Sequence, residues 1–167
     1  MLQEAILLQK RAVSQLVDII EERDEITFKA PTGSGKTYMM ADFMDRILED
    51  HPNVVFVVST LSKGGLANQN FEKFCQYSDS GVFKNIKPHL ISSNISGEET
   101  LFIPTGYNVY LLPRDLYKSN GRLMQGPMEN FLNNLTFNEF LGGQEKVIYI
   151  VIIIFINMLW GYAVLVL

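Results

Sequence analysis

Eight consecutive residues combine the side chains that a protein needs to hold the phosphates of a nucleotide. They read Ala30-Pro31-Thr32-Gly33-Ser34-Gly35-Lys36-Thr37. Gly33 and Gly35 lack a Cβ, so the backbone can turn its N–H groups inward around an anion. Lys36 offers a positive charge to the β- and γ-phosphates, and the Thr37 hydroxyl is a ligand for Mg²⁺. The stretch matches the P-loop pattern with alanine in place of the first glycine, and we predict ATP and Mg²⁺ as ligands of residues 31–37.

The neighbouring sequence supplies the elements that such a loop requires. Residues 26–30 form a short β-prone run that Pro31 ends, and residues 37–48 have the apolar spacing of a helix. Residues 54–58 are a continuous apolar run, which is typical of a strand buried on both faces. With an amphipathic helix over 2–22 in front, this order predicts a βαβ unit in an α/β fold, with a parallel sheet flanked by helices.

The rest of the chain continues the alternation of helices and strands. We predict a helix over residues 64–77 and a strand over 107–112. A further helix is predicted over 128–141, and a strand that begins at residue 147.

The composition favours one globular domain in a reducing, cytoplasmic setting. Of 167 residues 47% are hydrophobic, and the net charge of -4 excludes a strongly basic nucleic-acid binder. Cys75 is the single cysteine, and together with His51 and His89 it forms no metal-ligand pattern. The first residues lack the basic region of a secretory signal.

The P-loop and its surroundings resemble motif I of superfamily-two helicases. The resemblance rests on the octet, on Gln9-Lys10-Arg11-Ala12 before it, and on a buried strand after it that ends in Ser59-Thr60. The resemblance covers about residues 5–150. Within that superfamily, the chain is most similar to the restriction (Res) subunit of type III restriction enzymes and to related DEAD/DEAH-box helicase-like proteins. The resemblance implies a P-loop NTPase fold, here an incomplete N-terminal RecA-like lobe of an ATP-dependent DNA helicase, which is a hydrolase. It further implies DNA and a modification methyltransferase subunit as partners.

The same resemblance implies roles for residues outside the P-loop. Gln9 matches a glutamine that sits near the adenine, although it could equally be a solvated helix residue. Ser59, Thr60 and Lys63 match motif Ia, which touches the nucleic-acid backbone, although Lys63 could lie in an ordinary loop. Arg114 is a weaker candidate for the same contact and could be a solvated surface charge.

One motif of the family pattern is missing from the sequence. The pattern needs an Asp-Glu-x-His segment after a later strand, where the Asp holds Mg²⁺ and the Glu activates the attacking water. Residues 147–150 look like that strand, but residues 151–156 are apolar and no acidic residue follows Glu145. The second RecA-like lobe, with its arginine finger, is missing as well. We therefore assign no catalytic residue, and expect phosphate binding to survive and turnover to be lost.

The uncharged segment over residues 147–167 is either a membrane anchor or a tail that is not native to the fold. As a helix it would be about 31 Å long, close to the roughly 30 Å of a bilayer core, which makes it a membrane-anchor candidate. Its many Val and Ile residues also suit a buried strand. We favour a lobe over 1–150 followed by a tail over 151–167 that arises from a frameshift or a truncated reading frame.

Three classes of function remain open at this point. The first is the ATP-binding lobe of a DNA helicase or translocase, which would bind DNA through adjacent loops. The second is a kinase or transporter ATPase with the same P-loop. The third is a remnant or membrane-anchored nucleotide-binding protein without catalysis.

Overall fold

Helices and strands alternate along the part of the chain that the structure describes. The structure is a computed structural model, and it describes residues 2–20, 22–23, 25–60, 65–91, 106–113, 147–157 and 160–166. In chain order the elements are α1 (Leu2–Ile20), β1 (Glu25–Pro31), α2 (Lys36–Asp50), β2 (Val54–Thr60), α3 (Leu66–Asp79), β3 (Pro88–Leu90), β4 (Val109–Leu112), β5 (Val147–Asn157) and β6 (Trp160–Val166). The helix predicted over 128–141 lies outside the described residues.

The six strands form one sheet in the order β1-β6-β5-β2-β4-β3. Strand β2 pairs in parallel with both β4 and β5, and β3 pairs in parallel with β4. The predicted α/β fold with a parallel sheet is confirmed for these four strands. Strand β6 differs, because it runs antiparallel to both β5 and β1. Only two residues separate β5 from β6, and a parallel crossover needs a dozen or more, so a reversal of direction is the geometry available.

The uncharged segment enters this sheet as strands. Strand β5 pairs with β2 from Val147 to Ile153, and β6 fills the position between β5 and β1. The described residues contain no helix that is long and apolar enough to cross a membrane. The proposed boundary between residues 150 and 151 falls inside β5. The origin of the tail in an altered reading frame stays a prediction.

The core lies around β2, where the sequence predicted a strand buried on both faces. All five residues of the run are at most 4% exposed, which confirms that prediction: Val54, Val55, Phe56, Val57 and Val58. Helix α2 covers one face of the sheet, and the ring of its Phe43 meets the ring of Phe56 edge to face at a centroid distance of 6.1 Å. Helix α1 packs beside α2 and buries Val13 completely. This packing places α1 next to the loop that joins β1 to α2.

A histidine packed among aromatic rings near the start of β4 is expected to make the stability of the chain depend on pH. His89 on β3 is half-buried, and its ring lies 4.7 Å from Tyr107 and 6.0 Å from Tyr110, measured between centroids. Burial lowers the pKa of His89 from its ordinary value of 6.5. The unfolded chain therefore takes up the proton first as the pH falls, and this histidine's contribution to stability is lost from about pH 6.5 downward.

We expect His89→Gln to reduce the fall in the thermal denaturation midpoint between pH 7.5 and pH 5.5. The matched control is His51→Gln, which removes the exposed histidine that follows α2. Both variants and the unaltered chain are compared by thermal denaturation in the same buffers. An unchanged pH dependence in the His89 variant would contradict the assignment.

Candidate nucleotide-binding site

The loop between β1 and α2 has the backbone of an anion-binding turn. Strand β1 ends at Pro31 and α2 begins at Lys36. Gly33 and Gly35 adopt φ values of 82° and 81°, a left-handed conformation that residues with a Cβ rarely adopt. Gly35 is the N-cap of α2, and it has no side chain with which to cap the first turn of that helix. Its first amide N–H groups and its positive dipole end are therefore available to an anion at the loop.

The side chain of Lys36 reaches back over the end of β1. Its Nζ donates hydrogen bonds to the carbonyl oxygens of Ala30 at 3.0 Å and Pro31 at 2.7 Å. Partial burial lowers the pKa of Lys36 from its ordinary value of 10.5. The ammonium group is thus held at the loop by its own backbone, within reach of any group that the loop would bind.

Ser34 provides the test of whether this loop fits a polyphosphate. Its Oγ is buried and has no hydrogen-bond partner among the described residues. A buried polar group without a partner is destabilising, so such an atom is expected to have a ligand. With the amides of α2 and the ammonium of Lys36, the hydroxyl completes a set of donors around one loop. That donor set fits the oxygen atoms of a nucleotide's phosphates.

Gln9 of α1 contacts the P-loop directly. Its Nε2 donates a hydrogen bond to the carbonyl oxygen of Ser34 at 2.8 Å, and a Cβ built on Gly35 would lie 2.5 Å from the same Nε2. The side chain is therefore half-buried and bonded rather than solvated. The contact of Gln9 with adenine, which the family resemblance implies, stays a prediction.

Thr37 has a partner that the sequence did not reveal. Its Oγ1 donates a hydrogen bond to Oδ1 of Asn70 at 3.2 Å, and Asn70 lies 33 residues away on α3. The buried residues of α3 are Ala67, Asn70 and Phe74. A polar residue in an otherwise apolar helical stripe was the signal that could have drawn attention to this position. The metal ligand predicted from the sequence thus sits against an amide oxygen.

The nucleic-acid candidates are only partly described. Ser59 lies at the end of β2, and its side chain is 5% exposed, so the hydroxyl does not face solvent. The backbone of Thr60 pairs with that of Ile153 on β5, while its side chain is outside the described residues. Lys63 and Arg114 also lie outside them. The contact of these four residues with DNA stays a prediction.

The register of β5 shows which residues stand where the family pattern expects the acidic motif. Strand β5 lies beside β2, with Ile152 opposite Ser59 and Ile153 opposite Thr60. Isoleucines therefore stand where β2 ends, and the strand continues to Asn157 without a carboxylate. On the other side of the hairpin, Trp160 of β6 pairs with Pro31, at the start of the P-loop.

Fold and loop together define an incomplete RecA-like α/β chain of the P-loop nucleotide-binding class. The family described as "Type III restriction enzyme, res subunit" matches residues 4–153 of the 167. The chain therefore belongs to that family, which is superfamily-two helicase-like. The matched region runs from α1 into β5 and does not include β6. No curated protein and no solved structure gives a significant match.

Proposed function

We propose that this chain binds ATP with Mg²⁺ through residues 30–37, as the ATP-binding lobe of a helicase-like restriction subunit that acts on DNA. The observation that carries the proposal is the donor set of the loop. The ammonium of Lys36, the uncapped start of α2 and the unpaired hydroxyl of Ser34 belong to one turn. A triphosphate satisfies all three kinds of donor at once.

Three residues of the P-loop octet and Gln9 of α1 have distinct tasks in this proposal. Lys36 exchanges its two carbonyl partners for oxygens of the β- and γ-phosphates. Ser34 gains an acceptor for its buried hydroxyl. Thr37 would hold Mg²⁺, which would supply positive charge against the phosphates. Gln9 fixes the loop to α1 through the carbonyl oxygen of Ser34.

The proposal includes binding and excludes turnover for the chain as it stands. No acidic residue follows Glu145, so β5 brings no carboxylate to hold the metal or activate water. This observation favours the third class of function named above, a nucleotide-binding protein without catalysis. The DNA contact, the modification methyltransferase subunit and the cytoplasmic setting are proposals that follow from the family and the sequence.

Calorimetry and phosphate release on the full 167-residue chain test this function. We expect ATP and pyrophosphate to bind in the presence of Mg²⁺ and AMP to bind far more weakly, because the described donors address the phosphates. We expect no release of inorganic phosphate, with or without duplex DNA. Failure of ATP to bind overturns the proposal, and DNA-stimulated hydrolysis overturns the exclusion of turnover. Transfer of phosphate to a small acceptor would indicate the kinase class instead.

A further inference from the structure

The hydrogen bond between α2 and α3 at the start of α2 extends the site beyond the P-loop. We infer that Asn70 is a positioning residue for Mg²⁺, because its side-chain oxygen accepts a hydrogen bond from the Thr37 hydroxyl and so leaves the lone pairs of Thr37 Oγ1 free to face the metal. The inference rests on the proposed function, since it assumes that Thr37 ligates Mg²⁺. Its basis is the Oγ1 to Oδ1 distance of 3.2 Å.

The chemistry of a neutral hydroxyl explains why an acceptor is needed. A hydroxyl has one O–H donor and two lone pairs, and only a lone pair can bind a cation. If the proton pointed toward the metal, it would oppose the ligation that the lone pairs provide. An acceptor for that proton keeps it away from the metal. In the described part of the chain, the amide oxygen of Asn70 is this acceptor.

Packing alone does not account for an asparagine at this position. Asn70 is 5% exposed, and its buried neighbours along the same helical stripe are Ala67 and Phe74. A buried amide is destabilising unless it forms hydrogen bonds, whereas an apolar residue of similar size carries no such penalty. Among the described residues, the buried amide has its hydrogen bond with Thr37, so the polar group serves the residue that the proposal assigns to the metal.

A cluster of rings holds the two helices at the distance this bond requires. Tyr38, which follows Thr37, meets Tyr77 of α3 edge to face at 5.6 Å between centroids. Phe83 closes the group, at 5.0 Å from Tyr38 and 5.6 Å from Tyr77. Asn70 lies two turns before Tyr77 on the same helix. The start of α2 and the amide of Asn70 are thus fixed relative to one another by apolar packing.

The test compares ATP affinity with Mg²⁺ and with EDTA in variants at this position. Asn70→Leu keeps the approximate size and removes the acceptor, Asn70→Ala shortens the side chain, and Asn70→Asp keeps an acceptor oxygen. We expect the first two to reduce the gain in affinity from Mg²⁺ about tenfold, the effect of one hydrogen bond, and to leave the affinity in EDTA unchanged. We expect Asn70→Asp to retain the gain.

A substitution at Thr37 tests whether Asn70 acts on Mg²⁺ binding through the Thr37 hydroxyl. Thr37→Val removes the hydroxyl, and we expect Asn70→Leu to cause no further loss of the Mg²⁺ effect in that background. Thermal denaturation identifies the variants that are folded. If Asn70→Leu does not fold, Asn70→Ala is used in its place. Equal weakening of ATP binding with and without Mg²⁺ would show a structural role and overturn the inference. So would an unchanged Mg²⁺ effect.

The two hypotheses fail in different ways. If the unaltered chain binds ATP and gains affinity from Mg²⁺, but the Asn70 variants gain as much, the positioning role is wrong and the proposed function stands. If the unaltered chain does not bind ATP in either buffer, the proposed function is wrong and the positioning role falls with it.

Discussion

Replacing Lys36 with alanine is expected to abolish measurable ATP binding, with a loss of affinity of about 100-fold or more. The ammonium of Lys36 is held at the loop by two carbonyl oxygens, at 3.0 Å and 2.7 Å, and is therefore in place to contact phosphate. A charge-assisted hydrogen bond contributes about 1.5–3 kcal/mol, so the loss of two such bonds, to the β- and γ-phosphates, costs about 3 kcal/mol or more. Every 1.4 kcal/mol corresponds to about a tenfold change in affinity. Titration of a fluorescent ATP analogue in the presence of Mg²⁺ measures the change.

Two further variants make the result specific to the position of the charge. Lys36→Met keeps most of the aliphatic stem and should behave like the alanine variant. Lys84→Ala removes the same charge from an exposed lysine outside the loop and should bind ATP as the unaltered chain does. Equal affinity in the Lys36 and Lys84 variants would falsify the assignment of the P-loop.

The features that the sequence predicted well are those with all their determinants close together. Strand, loop and helix around the P-loop depend on one short segment, and the glycines there mark the turn that β1 and α2 require. The buried strand β2 was equally clear, because an unbroken apolar run that follows a βα unit has few other solutions. These elements hold the P-loop and carry the proposed binding of ATP.

The features that the sequence left open depend on contacts between distant residues. The bond from Thr37 to Asn70 joins positions 33 residues apart, and periodicity cannot reveal which side chains meet across two helices. The same holds for Gln9, whose contact with the carbonyl oxygen of Ser34 requires that α1 pack beside α2. The direction of β6 was undetermined because an uncharged run of Val and Ile suits a membrane helix or a strand of either direction.

A second large effect is expected at the centre of the sheet. Phe56 is fully buried on β2, with Val109 of β4 on one side, Tyr149 of β5 on the other and the ring of Phe43 above it. We expect Phe56→Ala to lower the free energy of unfolding by about 3–5 kcal/mol, because it removes a ring from a packed core. Urea denaturation followed by circular dichroism measures this loss.

The same substitution of phenylalanine by alanine at Phe71 is the matched control. Phe71 on α3 is half-buried, so Phe71→Ala removes the same atoms from a position that is already partly solvated, and should lower the free energy of unfolding less. Equal losses in the two variants would contradict the central position of β2.

The site and the core are coupled through α2, which begins at Lys36 and packs on Phe56 through Phe43. Globular domains are stable by only about 5–15 kcal/mol, so the Phe56 variant should be close to unfolding. Because a ligand that binds only the folded chain stabilises it, saturating ATP with Mg²⁺ should restore about 3 kcal/mol at 100 times its Kd. Restoration by ATP in Phe56→Ala, and none when Lys36→Ala is added, would show that the nucleotide acts through the P-loop.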